Sequence, residues 1–262
     1  MPAPVSRPVL APGSHAVVSV PVTTVWISPD LPREVDAAIV RDDPDAPAWL
    51  AEIDTHPGDD ETGSGRLGLH GRVETQLVGG EPVVVGEADP SGGWTRVTAP
   101  WQPSPKQADG YPGWVPTAHL SPAEAAPGLP SATEDPATVD AEHPCLGLAR
   151  AHLGLPYLWG GLTPLGLDCS GLVHHTWRRF GIVVPRDAHA QAAAGVPVPL
   201  DAVQPGDLYF FARPDRPIHH VGIVVRPGRM VHASETGGVL VEEDLGPDRL
   251  ETLVAAARLP HP

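Results

Sequence analysis

Cys169 stands in Leu167-Asp168-Cys169-Ser170-Gly171-Leu172-Val173, where a run of helical spacing begins. Unpaired N–H groups and the dipole at a helix start favour an anion, so the position predicts a thiol with a lowered pKa, a nucleophile. Cys145, among Leu146, Leu148 and Ala149 in another helical run, reads instead as a small buried apolar residue. Two cysteines build neither a disulfide framework nor a four-thiolate zinc site. A thiol nucleophile needs a base, and the base needs a group to orient it. Two of the 13 histidines fit: His220 opens the strand-like His220-Val221-Gly222-Ile223-Val224, and His232 lies in the next, Met230-Val231-His232-Ala233-Ser234. Either alone is more often a polar surface residue, so the weight rests on the set.

The hairpin imposes a condition on that set. Pro227-Gly228 joins the two strands, and a regular two-residue turn there would put His220 and His232 on opposite faces, because strand side chains alternate. A shared site therefore requires an odd-length loop or a bulge near Arg226–Arg229. His219 should point away from His220 and be dispensable. Asp168 needs a role of its own, because a carboxylate beside Cys169 disfavours the thiolate. It can cap the helix or pair with a cation, and both remain open.

Elements to hold these residues are legible around them. Pro144–Leu153 and Cys169–Phe180 have helical spacing, the second ending in Arg178, Arg179 and Gly181. Leu208–Phe211, His219–Val225, Met230–Ser234 and Gly238–Glu242 read as strands, and helices followed by strands indicate an α+β domain over 143–262. Earlier, Ala16–Ile27, Gly71–Leu77, Pro82–Glu87 and Gly93–Val97 read as strands, and a segment Gly110–Pro116 closes that half. A Pro- and Asp-rich insertion follows the first strand and carries a helix around Ala46–Ile53, so residues 1–121 suggest a small barrel with an insertion. Residues 122–142, acidic and rich in Pro, Ala and Thr, read as a linker.

Composition narrows the function classes. With 262 residues, 41% of them hydrophobic, a core can be buried, while 28 glycines and 34 prolines favour short strands and turns over a helical bundle. The net charge of −15 is uneven: −9 over residues 1–122, −5 over 123–142 and −1 over 143–262. Lys106 is the sole lysine, so a nucleic-acid partner is not expected. Loops such as Asp42-Asp43-Pro44-Asp45 and Asp59-Asp60-Glu61 account for much of the acidity. Prolines interrupt the N-terminal residues where a signal peptide needs an apolar core, and no run suits a membrane span, so a cytoplasmic, reducing location is expected.

Residues 143–262 resemble the NlpC-type cell-wall peptidases, a papain-like cysteine peptidase family. The resemblance rests on Pro156-Tyr157-Leu158-Trp159-Gly160-Gly161, Asp168-Cys169-Ser170-Gly171-Leu172-Val173, Pro185-Arg186, Gln191, Pro205-Gly206-Asp207-Leu208, His220-Val221-Gly222-Ile223 and His232-Ala233-Ser234. It implies Cys169 as nucleophile, His220 as base and His232 as its orienting partner. Tyr157 would donate to the oxyanion with the Cys169 N–H, and Trp159 and Arg186 would be substrate-binding. More loosely, Gly71-Arg72-Val73-Glu74-Thr75-Gln76 and Gly110-Tyr111-Pro112-Gly113-Trp114-Val115 resemble the bacterial SH3-like domain of a subgroup. That subgroup cleaves the γ-D-Glu–diamino acid bond of short cell-wall peptides bearing a free N-terminal L-Ala. For the substrate ammonium the resemblance implies Asp168 and Ser170, with Glu74 and Tyr111 from the first half. A second SH3-like domain of some relatives has no room in the 122–142 stretch. Neither metal nor cofactor is implied, and the partners are peptidoglycan-derived peptides, in recycling of fragments. Acyl transfer to an amine within the same fold, or a non-catalytic wall-binding role, are the alternatives.

Overall fold

The computed structural model describes residues 10–56, 63–124, 128–139 and 142–262; the Asp59-Asp60-Glu61 loop and the first nine residues lie outside these. The described residues form two compact units, one within Met1–Trp101 and Asp109–Gly128, the other within Gln102–Ala108 and Leu129–Pro262. Among the described residues no helix is long and apolar enough to cross a membrane.

The first unit is β-rich. Its elements are β1 (His15–Val18), β2 (Val22–Trp26), α1 (Ala37–Val40), α2 (Ala46–Ile53), β3 (Val73–Val78), β4 (Pro82–Ala88), β5 (Trp94–Ala99), β6 (Tyr111–Pro116) and β7 (Leu120–Pro122). The sheet runs β3-β2-β6-β5-β4-β1-β7. The single run expected over Ala16–Ile27 is two strands. Pro21 has no N–H for a ladder, and its carbonyl accepts from the Gly79 N–H at 2.9 Å, so the chain changes partners there. β1 then pairs with β4 and β7, and β2 with β3 and β6. In the insertion, α2 forms where expected: Asp45 caps it, accepting from the Ala48 N–H at 2.9 Å, and Trp49 is buried with its indole N–H donating to Asp36 at 2.7 Å.

The second unit comprises α3 (Pro144–Arg150), β8 (Leu162–Thr163), β9 (Gly166–Leu167), α4 (Cys169–Arg179), α5 (Ala188–Ala194), β10 (Val196–Val198), β11 (Leu208–Phe211), β12 (His220–Arg226), β13 (Arg229–Ser234), β14 (Val239–Asp244), α6 (Pro247–Thr252) and β15 (Leu253–Arg258). Its antiparallel sheet runs β10-β15-β11-β12-β13-β14. Alternation splits the apolar side chains between two faces. Leu208, Phe210, Val221, Ile223 and Val231 pack with Leu146, Leu172, Val173 and Trp177 of α3 and α4, whereas Tyr209, Phe211, Val224 and Met230 form a second cluster. Each fully buried Leu or Phe contributes about 1.5–3 kcal/mol, so this packing holds α4 in place far more firmly than its caps do. β15 went unread in the sequence because alanines dominate it, yet it pairs with both β10 and β11. In the described part of the 122–142 stretch, the Thr133 and Glu134 N–H groups donate to the Arg179 carbonyl at 2.8 and 3.0 Å, attaching this segment to the end of α4.

Candidate active site

Helix α4 begins at Cys169 because Asp168 caps it: Asp168 is extended, and its Oδ1 accepts from the Gly171 N–H at 2.6 Å. That carboxylate is buried and has further donors. The Gly160 N–H reaches Oδ2 at 2.9 Å, and the Arg186 guanidinium forks onto both oxygens at 3.0 and 2.5 Å. Ser170 Oγ donates to Oδ1 at 3.3 Å and accepts from Arg186 at 3.0 Å. Gly160 takes a φ of +76°, a conformation open mainly to glycine, and its N–H is one of the donors to Asp168.

Arg186, expected among the substrate-binding residues, is 1% exposed, with its guanidinium engaged by Asp168 and Ser170. Its own N–H donates to the Pro103 carbonyl at 3.1 Å. Gln191 clamps the same corner from α5, donating to the Ser170 and Pro185 carbonyls at 3.0 and 2.9 Å. Asp207 is buried and ion-paired with Arg258 at 2.7 Å, and it accepts from the Gln204 N–H at 2.7 Å. The Pro205-Gly206-Asp207-Leu208 piece is thereby tied to β15 and feeds β11.

The hairpin meets the condition derived above. Ile223 opposes Val231 and Val224 opposes Met230, but Arg226 opposes Arg229, so the register shifts by one between Val224 and Arg226. The shift puts Gly222 opposite His232 and sets the two imidazoles diagonally on one face. His220 Nε2 and His232 Nδ1 are 2.8 Å apart, with ring centroids at 4.9 Å and planes at 85°. A Cβ on Gly222 would lie 2.3 Å from Met230 Sδ and 3.2 Å from the His232 Cβ, so this glycine makes the space the rings use. His219, the residue before β12, is exposed. Beyond His232 lies a residue that pattern reading missed: Glu243 of β14, whose Oε1 is 2.9 Å from His232 Nε2. Its signal would have been strand alternation, since Met230 pairs with Glu243 and His232 with Val241.

The Val221 N–H, one residue after His220, points at the Cys169 sulfur, which ties the nucleophile's helix to the head of β12. Burial pushes the Cys169 thiol up to about 12, and Asp168 adds to the rise, while the Val221 N–H, Arg186 and the Ser170 N–H oppose it. The sequence expectation of a lowered pKa is therefore corrected: desolvation outweighs the helix N-terminus. Burial likewise lowers His220 far below its ordinary value, His232 adding to the effect, and takes His232 to about 4. Burial therefore disfavours the charged form of the thiol and of both imidazoles alike. Cys145 is fully buried, and its thiol is raised by desolvation alone. Tyr157 is buried and its hydroxyl is kept protonated, first by desolvation and then by the nearby Cys169 and Asp168, so it remains a donor. Trp159 is half-buried in the same segment. Glu74 and Tyr111 belong to the first unit, where the Tyr111 hydroxyl donates to Glu74 Oε2 at 3.3 Å.

A thiol heading a buried helix, met by the backbone at the head of a strand whose first residue pairs its imidazole with another, defines a cysteine peptidase of the papain-like kind. The family model described as "NlpC/P60 family" matches residues 154–256. The γ-D-glutamyl-L-lysine dipeptidyl-peptidase of Bacillus subtilis (strain 168) is 33% identical over 85% of this chain and 90% of its own length. Its namesake from Bacillus cereus (strain ATCC 10987 / NRS 248) is 27% identical over 84% of this chain and 83% of its own. A crystal structure of an NlpC/P60 family protein from Bacillus cereus ATCC 10987 superimposes with a TM-score of 0.78 at 26% identity, covering 94% of this chain and 99% of that one. This chain belongs to the NlpC/P60 family, and it is a cysteine peptidase.

Proposed function

We infer that this enzyme hydrolyses the γ-D-Glu–L-diamino acid bond of short peptidoglycan-derived peptides that carry a free N-terminal L-Ala. The observation that carries the chemistry is the His220–His232 contact of 2.8 Å beside the strand N–H that reaches Cys169. In this reading the neutral thiol passes its proton to His220 as sulfur attacks the γ-carbonyl, forming the S–C bond. The Cys169 N–H and the Tyr157 hydroxyl receive the developing oxyanion. His220 then gives the proton to the leaving amine as the C–N bond breaks, and water, deprotonated by His220, releases the thioester. His232 orients His220. Asp168 and Ser170 hold the end of the cleft next to the nucleophile, and Arg186 keeps Asp168 from raising the thiol further.

The choice of substrate is supported by the relatives' printed activity together with the extent of the match, which covers far more than residues 154–256. The same breadth supports reading the β-rich first unit as an SH3-like barrel. Mass spectrometry of L-Ala-γ-D-Glu-L-Lys incubated with the protein tests the function: release of lysine with the L-Ala-γ-D-Glu dipeptide is expected. An uncut tripeptide would refute the substrate, and equal kcat/KM for the free and N-acetylated peptide would refute the requirement for a free amine.

A further inference from the structure

The polar chain that starts at His220 does not end at His232. His232 Nε2 lies 2.9 Å from Glu243 Oε1, and the carboxylate reaches it from β14, the edge strand of the sheet. His232 itself is fully buried while the Glu243 side chain is 44% exposed, so the glutamate links an enclosed imidazole to the surface. Each imidazole has two nitrogens, and only one bears hydrogen in the neutral form. A carboxylate can only accept, so the hydrogen of His232 must be on Nε2. Its Nδ1 is then an acceptor, and the sole hydrogen that can fill the 2.8 Å contact is the one on His220 Nε2. His220 Nδ1 is left with its lone pair, the state a base must have before it can take the thiol proton.

We propose that Glu243 is a positioning residue: by accepting from His232 Nε2 it sets the tautomers of both imidazoles in series, so that Nδ1 of His220 is the basic nitrogen. The proposal rests on the reading of Cys169 and His220 as nucleophile and base. Without the carboxylate, His232 is free to place its hydrogen on Nδ1 and face His220 with a donor, which flips His220 or breaks the contact. Other charged and titratable groups also face the pair. Arg249 of α6 has its Nε 3.9 Å from Glu243 Oε1 and its guanidinium carbon 5.8 Å from the Phe211 ring centroid, and it opposes a positive charge on either imidazole. His219, just before β12, opposes protonation of His220 in the same direction. From the opposite side Phe211 of β11 presents only an apolar ring, its centroid 5.6 Å from that of His220. The Ala233 backbone also hydrogen-bonds the His232 ring, and among the side chains named Glu243 is the acceptor that reaches its Nε2.

The test uses the full chain with Glu243→Ala, Glu243→Gln and His232→Ala, reading kcat, KM, the pH profile of kcat/KM and the ¹⁵N shifts of the imidazoles. Glu243→Ala is expected to lower kcat by about tenfold to a hundredfold at little-changed KM, as loss of an orienting partner does. Glu243→Gln, whose amide oxygen still accepts from Nε2–H, is expected to recover kcat to within about threefold. The wild-type spectrum should show both imidazoles as Nε2–H tautomers, and Glu243→Ala should mix them. Wild-type kcat in Glu243→Ala, an Nδ1–H tautomer of His232 in the wild type, or equal losses in the Ala and Gln variants would each overturn the proposal. A fully active His232→Ala would instead remove the triad reading beneath it, whereas an impaired His232→Ala beside an unimpaired Glu243→Ala removes the proposal alone.

Discussion

Replacing Arg186 with methionine probes the corner that supports the nucleophile. The side chains of the Arg186–Asp168 pair are 2% and 9% exposed, so removing the guanidinium leaves a buried carboxylate without its counter-charge. Breaking such a pair costs about 3–5 kcal/mol. Asp168 keeps the Gly171 N–H at 2.6 Å, the Gly160 N–H at 2.9 Å and the Ser170 hydroxyl at 3.3 Å, which places the loss at the lower end of that range, about 3 kcal/mol. For a unit of this size 1 kcal/mol corresponds to about 2–4 °C, so calorimetry should show the transition of the second unit moving down by about 6–12 °C. Asp168→Asn combined with Arg186→Met removes both charges, and it should be at least about 1 kcal/mol more stable than the sum of the single effects. Arg186 also holds the Cys169 thiol down, so iodoacetamide should react more slowly in Arg186→Met than in the wild type at the same pH. A shift in Tm below about 3 °C, or strict additivity in the double variant, would refute the claim that the pair is tightly coupled.

Alkylation of the wild type should be confined to Cys169 and should accelerate about tenfold per pH unit between pH 7 and 10, because a thiol pushed up to about 12 has no plateau in that range; Cys169→Ala should be inactive and Cys145→Ala close to wild type. Gly222→Ala should lower kcat by more than tenfold, as its Cβ would lie 2.3 Å from Met230 Sδ and crowd His232, and retention of full activity would show that the hairpin yields freely. His219→Ala should leave turnover unchanged where His220→Ala lowers it by about two to four orders of magnitude. His174, fully buried and donating from Nδ1 to the Val184 carbonyl at 2.8 Å, is lowered to about 3 by desolvation. The unfolded state therefore binds one more proton between about pH 6.5 and 3, so stability falls with acidification through that window by about 1.4 kcal/mol per pH unit from this group. His174→Asn should flatten the slope of Tm against pH there, and an unchanged slope would assign the acid sensitivity elsewhere.

Much of the site was legible because it is local in the chain. A capping residue before a run of helical spacing marks Cys169, and two imidazoles separated by one hairpin are marked by alternation; neither inference needs to know what the hairpin packs against. Even the bulge was forced, since parity alone forbids a regular two-residue turn from putting His220 and His232 on one face. What the sequence could not decide depends on burial and on partners distant along the chain. The thiol was expected to be acidic from its place on the helix, but Leu172, Val173, Val221 and Ile223 close over that place, and desolvation reverses the sign. No local pattern pairs Arg186 with Asp168, 18 residues away; that pairing follows from burial, because a buried carboxylate must be neutralised from within. Glu243 carried no motif at all: its role comes from the register of β13 and β14, which sets an otherwise ordinary surface glutamate against His232. Local propensity wrote the helix and the hairpin, and only the packing of α4 against the sheet decided that burial disfavours charge on the groups they carry.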